Sequence, residues 1–136
     1  MKVILDENAI MPTRAHAKDA GLDLYAPESQ IVPAKDSAIF DIGIHIQLPA
    51  DTVGMIKSRS GLNINNGLTC TGVIDEGYTG SIKVRLDNSS GYDYRVKRGD
   101  KIAQLVILPV IIPDIDVVEY LEDSERGDKG FGSSGR

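Results

Sequence analysis

Cysteine is nearly absent from this chain: Cys70 is the only one in 136 residues. A lone thiol excludes an internal disulfide and a zinc cage built from cysteines, and it fits a reducing compartment. Positive charge is scarce as well, with 15 Lys and Arg against 20 Asp and Glu and a formal net charge of −5. A surface that holds a duplex neutralises many phosphates over a broad cationic face, so this balance argues against nucleic acid as a partner. A small anion remains compatible, because a few local cations and backbone amides can outweigh the global sign. No apolar run approaches the ~18 residues of a membrane span. The opening MKVILDENAI has too short an apolar stretch for a secretion signal. The expectation is a cytoplasmic protein with no membrane partner.

Long helical periodicity is missing too. Alternation or short β-branched runs occupy Val3–Leu5, Gly21–Ala26, Gln30–Val32, Ala38–Leu48, Val53–Lys57, Leu68–Ile74, Ser81–Leu86, Ile102–Leu108 and Ile115–Val118. Gly, Pro, Asn and Asp punctuate them. Many short strands at close spacing predict one all-β domain, a sandwich or barrel, and not a parallel sheet. Ser60–Asn66 is the one candidate helix, of one or two turns. The last sixteen residues, LEDSERGDKGFGSSGR, are polar, charged and glycine-rich, so residues 121–136 are expected to form a flexible arm on a domain of residues 1–120.

Five segments carry chemistry-bearing residues. GVIDEGYTG (Gly72–Gly80) ends an apolar run in Asp75, turns through Glu76-Gly77 and presents Tyr78 before SIKVRL, the pattern of a β-hairpin. A rigid Asp there can orient a water as general base, and a Tyr ring can pack on a sugar or base. The plainer alternative is an Asp capping a turn and a Tyr covering a sheet edge. SRSGL (Ser58–Leu62) sets a guanidinium at the mouth of the short helix, suited to a phosphate; its alternative is a Ser N-cap beside a solvated Arg. In AGLDLYA (Ala20–Ala26), alternation places Asp23 opposite Leu22 and Leu24, hence facing solvent, with coordination of a metal-bound water as its functional reading. In RGDKIAQL (Arg98–Leu105), Gln104 either leaves its amide unpaired on burial or offers it to a ligand in a cleft. RGDKGFGSSG (Arg126–Gly135) is a glycine-rich loop able to wrap an anion, without Walker spacing, or else a disordered tail.

Together and in this order, these segments resemble the five motifs of the trimeric deoxyuridine triphosphate nucleotidohydrolases (dUTPases), from about residue 20 to the C-terminus. The resemblance implies a jelly-roll-like β-sandwich or barrel and hydrolysis of dUTP to dUMP and pyrophosphate. Asp75 then activates the water that attacks the α-phosphorus, and Tyr78 packs on the deoxyribose and excludes a 2′-hydroxyl. Val73, Ile74 and Lys83 contact the nucleoside. Arg59, Ser60, Gly61 and Gln104 match phosphate contacts, and Asp23 the residue that holds Mg2+ through a bound water. In the tail, Arg126 matches a phosphate-binding arginine, Phe131 the ring stacked over uracil, and Gly132, Ser133 and Ser134 the γ-phosphate loop. The resemblance also implies a homotrimer whose sites draw on three chains, so that one protomer alone is inactive.

Departures from the family pattern are local. Ser58 stands where proline is usual, Lys129 and Ser134 replace a glycine and a threonine in the tail, and Lys18-Asp19 replaces small residues. His16 and His45 lie outside all five segments and are read as structural, as is Cys70 in the core. Two further readings share the fold: a nucleotide-gated module that binds a regulatory protein partner, and a dCTP deaminase. Asp75 speaks for hydrolysis against both, since neither needs a water-activating carboxylate at that position.

Overall fold

The computed structural model describes residues 1–124 together with 127 and 128. Among them are strands β1 (Lys2–Leu5), β2 (Gly21–Tyr25), β3 (Gln30–Val32), β4 (Ser37–Asp41), β5 (Ile44–Gln47) and β6 (Thr52–Lys57), then helix α1 (Ser60–Asn66). They continue with β7 (Leu68–Thr69), β8 (Thr71–Ile74), β9 (Lys83–Asn88), β10 (Tyr94–Val96) and β11 (Lys101–Pro109). All described pairings are antiparallel: a four-stranded sheet β2-β11-β6-β8, a three-stranded sheet β4-β9-β7, and the ribbons β1-β5 and β3-β10.

Period-two alternation builds the core. In β4, Ala38 and Phe40 point inward while Ile39 and Asp41 point out; in β9, Val84 and Leu86 face in and Lys83 and Arg85 out. These inner faces meet Leu24, Ile56, Ile74 and Leu105 from the four-stranded sheet, with Ile44, Ile46, Val32 and Val96 closing the ends. The result is the jelly-roll-like all-β sandwich that the sequence led us to expect. Phe40 is 1% exposed, and truncating such a residue to Ala typically costs about 3–5 kcal/mol.

Several expected elements differ. The run Ala38–Leu48 breaks at Gly43, whose φ of 64° turns the chain from one sheet into another ribbon. Leu68–Ile74 divides at Cys70, β7 joining the three-stranded sheet and β8 the four-stranded one. The hairpin expected between the Asp75 segment and SIKVRL is absent as a strand pair. β8 pairs with β6 and β9 with β4 and β7, because Ile74 and Ile82 are both buried and draw the two strands to different sheets. Tyr94–Val96 is an additional strand, too short for alternation to reveal. Ile115–Val118 forms no strand, since no strand among the described residues pairs with it; Ile115 and Val117 are 89% and 98% exposed. No helix among the described residues is long and apolar enough to cross a membrane.

Candidate active site

The first group of predicted residues gathers on the four-stranded sheet. A β-bulge at Ile102, between the pairs Lys101↔Tyr25 and Ala103↔Leu24, shifts the register of β11 so that Gln104 lies opposite Asp23. Directly opposed residues share a face, and Asp23, Arg59, Ser60 and Gln104 line one cavity of about 340 Å³. Asp23 is not solvent-facing. It does lie opposite the leucines, but its side chain is 10% exposed because cations cover it: Arg59 pairs with Oδ1 and the Lys101 ammonium holds Oδ2 at 2.8 Å. Thr13 covers the strand edge, accepting from the Asp23 amide at 2.7 Å. A carboxylate taken out of water needs such partners.

The helix mouth also differs from the Ser-cap alternative. Arg59 itself occupies the N-cap position with no side-chain cap, and Ser60 is the first helical residue. Ser58 is tied twice to the backbone of Cys70, donating to its carbonyl at 3.0 Å and accepting from its amide at 2.8 Å. The Gln104 amide donates to the Ser58 carbonyl at 3.0 Å, so Gln104 both lines the cavity and steadies the Arg59 loop. Gly21 makes room for it, since a Cβ there would stand 2.3 Å from Gln104 Oε1. At Gly61 an added Cβ meets nothing within 4 Å among the described residues; their packing does not demand that glycine.

The second group gathers beyond β8. Val73, Ile74, Asp75, Tyr78 and Lys83 line one cavity of about 260 Å³ with Ile56, Gly72, Ser81 and Ile82. The Tyr78 amide donates to the Asp75 carbonyl at 3.1 Å, closing a turn whose third residue, Gly77, has φ 90°. Glu76 anchors that turn by accepting from the Asp51 amide at 2.8 Å. The Tyr78 ring folds back over Gly80, its hydroxyl donating to the Ser81 carbonyl at 3.0 Å. Ser81 in turn donates to Asp41, whose other oxygen lies 3.9 Å from Lys83 Nζ. The Ser81 hydroxyl, helped by the Gly43 amide and by the charges of Lys83 and His45, holds the Asp41 carboxyl below its ordinary value.

These two groups stand apart within the chain. The row Asp23, Gln104, Lys57, Thr71 crosses the sheet, and Asp75 lies four residues beyond Thr71. Strand spacing and rise place Asp75 on the order of 20 Å from Asp23. Arg126, Phe131, Gly132, Ser133 and Ser134 lie outside the described residues. Sequence reasoning missed Lys101, Asp41 and Ser81, whose positions follow from the bulge and from cross-sheet register. It also read His45 only as structural, although the ring contacts Thr79 beside Tyr78.

A family model described as dUTPase matches residues 7–135. The chain belongs to the dUTPase family. It is 42% identical over 134 residues to the deoxyuridine 5′-triphosphate nucleotidohydrolase of Clostridium acetobutylicum, covering 96% of this chain and 92% of that one. With the Yarrowia lipolytica enzyme of the same name it shares 44% identity over 96% of this chain and 85% of that one. Among solved structures it resembles the dUTPase of Staphylococcus bacteriophage 80alpha with dUpNHpp, at a TM-score of 0.93 and 34% identity over 99% and 98% of the two chains. A mutant dUTPase of phage phi11 of S. aureus, described with a structural Mg(II) ion, matches at a TM-score of 0.82 and 30% identity over 90% and 98%. Hydrolysis of dUTP, the reaction of a dUTP diphosphatase, is the activity these relationships support, and neither deamination nor binding alone is favoured.

Proposed function

We propose that dUTP binds with its nucleoside in the cavity beside β8 and its phosphates against the cationic loop of a neighbouring copy. Asp75 is the general base. It stands exposed just past β8, next to the buried Ile74, on a turn pinned by Glu76, where a carboxylate can aim a water along the line of attack on the α-phosphorus. Tyr78 packs on the deoxyribose, Val73, Ile74 and Lys83 border the nucleoside, and uracil is read by backbone groups of the same segment. A misplaced or unpaired polar group of a wrong base or sugar costs about 1–3 kcal/mol.

Phosphoryl transfer is driven by positioning and by cations placed where charge develops. Arg59 and Lys101 supply two, with Ser60, Gly61 and Gln104 shaping the approach, and Arg126 joins them from the arm. Phe131, Gly132, Ser133 and Ser134 complete the closure over uracil and the γ-phosphate. For Mg2+ the donor set is telling. Both Asp23 oxygens already carry a cationic partner, and no group of three or more His, Cys, Asp or Glu among the described residues converges on one point. That fits a hydrated ion delivered on the triphosphate, with Asp23 touching its water, and not a protein cage. When bound, the ion neutralises charge on the phosphoryl oxygens.

A homotrimer with shared sites is supported by the gap between Asp75 and the cations, and by bare apolar surface. Ile111, Ile112, Ile115, Val117, Tyr120 and Leu121 are each at least 77% exposed along one extended segment, more than a lone chain ordinarily leaves to water. Residues 121–136 are the arm that closes over a neighbour's site. The lone, buried Cys70 fits a cytoplasmic setting.

The observation that carries this reading is the convergence of Asp75, Tyr78, Val73, Ile74 and Lys83 on one cavity. Asp75→Asn tests it. The variant is expected to bind a non-hydrolysable dUTP analogue as wild type does while pyrophosphate release drops at least about a hundredfold. Near-normal turnover removes Asp75 from the mechanism.

A further inference from the structure

We propose that His45 is a positioning residue for the Tyr78 ring, acting through the carbonyl of Thr79. The inference rests on the reading that Tyr78 excludes a 2′-hydroxyl. His45 stands on β5 opposite Ile4 of β1, half-buried. Its Nδ1 lies 2.8 Å from the Thr79 carbonyl oxygen, and its Nε2 lies 3.3 and 3.4 Å from the two carboxylate oxygens of Asp6. Asp6 is itself fixed, its amide donating to the Gly43 carbonyl at 2.9 Å.

A carbonyl only accepts, so the contact to Thr79 places a proton on Nδ1. Nε2 then faces a carboxylate, which favours a second proton on the ring. This is why the ring's pKa lies above its ordinary value, raised first by the Thr79 carbonyl and then by Asp6, with a smaller pull from Asp41. Lys2, a cation, lines the same hollow as His45. The imidazole thus links the β1-β5 ribbon to the segment that carries Tyr78.

Thr79 lies between the ring and its floor. An added Cβ at Gly80 would stand 2.5 Å from the Tyr78 hydroxyl oxygen, so the ring rests on this peptide. The segment has three clamps: Glu76 to Asp51 at the Asp75 end, Ser81 to Asp41 at the far end, and His45 to Thr79 in the middle. Losing the middle clamp frees the ring's floor while Asp75 keeps its own anchor. Binding and sugar selection therefore suffer more than the chemical step.

The test is steady-state kinetics with dUTP and with UTP on the full chain, comparing wild type, His45→Ala, His45→Asn and Tyr78→Ala, each with its thermal midpoint. Asn can present an N–H near the place of Nδ1. His45→Ala is expected to lower the preference for dUTP in kcat/KM by about three- to tenfold, the loss of one hydrogen bond, mainly through KM. His45→Asn restores most of it. The proposal is overturned if His45→Ala keeps the preference while Tyr78→Ala loses it, or if His45→Asn is as poor as His45→Ala at equal thermal stability. A Tyr78→Ala variant that keeps the preference removes the reading of the ring itself, and with it the role of His45.

Discussion

Arg59 and Asp23 form an ion pair in the wall of the cavity that Gln104 and Ser60 also line, and Lys101 takes the second oxygen of the same carboxylate. One buried anion therefore organises two cations, and the cluster keeps one net positive charge. Asp23→Asn removes the charge that holds both. The cations are about a third exposed, at 33% and 39%, so water tempers the loss to about 1–3 kcal/mol of folding stability. Denaturant unfolding measures it, and turnover of dUTP is expected to fall alongside.

Sites shared between copies have a statistical signature. Asp75→Asn and Arg59→Ala chains are each expected to be inactive alone. Refolded together in equal amounts, they should recover about a quarter of wild-type activity, since a site taking its carboxylate and its arginine from two chains is intact in that fraction of cases. No recovery in confirmed mixed oligomers would place both residues in one chain's site, against the separation of the two cavities.

Gly80 offers a way to move the Tyr78 ring without touching it. A Cβ at this position would lie 2.5 Å from the hydroxyl oxygen and 2.7 Å from the ring carbon that bears it. The far end of a side chain yields more easily than backbone, so Gly80→Ala is expected to swing the ring out and break its bond to Ser81. The cost to stability is about 1 kcal/mol, while discrimination between dUTP and UTP relaxes as in a Tyr78 variant. Melting and paired kinetics read the two effects separately.

Much of this molecule was legible before its structure. Alternation and β-branched runs marked the segments that hold β4 and β9, and Ser60–Asn66 was found as a helix with its bounds intact. Local pattern could not show which sheet a strand joins. GVIDEGYTG followed by SIKVRL reads as a hairpin, yet the burial of Ile74 and Ile82 parts the strands. Nor does alternation say what covers a face: Asp23 was placed on the correct side and judged exposed, because Arg59 comes from the mouth of α1 and Lys101 from β11. Thr79 and His45, 34 residues apart, meet only once β5 lies beside the turn. Ile115–Val118 reads as a strand and finds no partner strand among the described residues.

Acid should loosen the Tyr78 segment through Asp41. Its carboxyl is held below the ordinary value near 3.8, first by the Ser81 hydroxyl and then by the Gly43 amide and the charges of Lys83 and His45. A group with a depressed folded value binds its proton more readily when unfolded. Its contribution is complete above the unfolded value and disappears as pH falls through the lower folded one. Wild type is therefore expected to exceed Asp41→Asn in stability at pH 7 and to converge with it as pH drops below about 4, where the protonated acid and the amide become equivalent. Urea midpoints at stepped pH measure the gap. A gap that stays constant with pH would mean that Asp41 acts by shape, and that its charge does not grip Ser81.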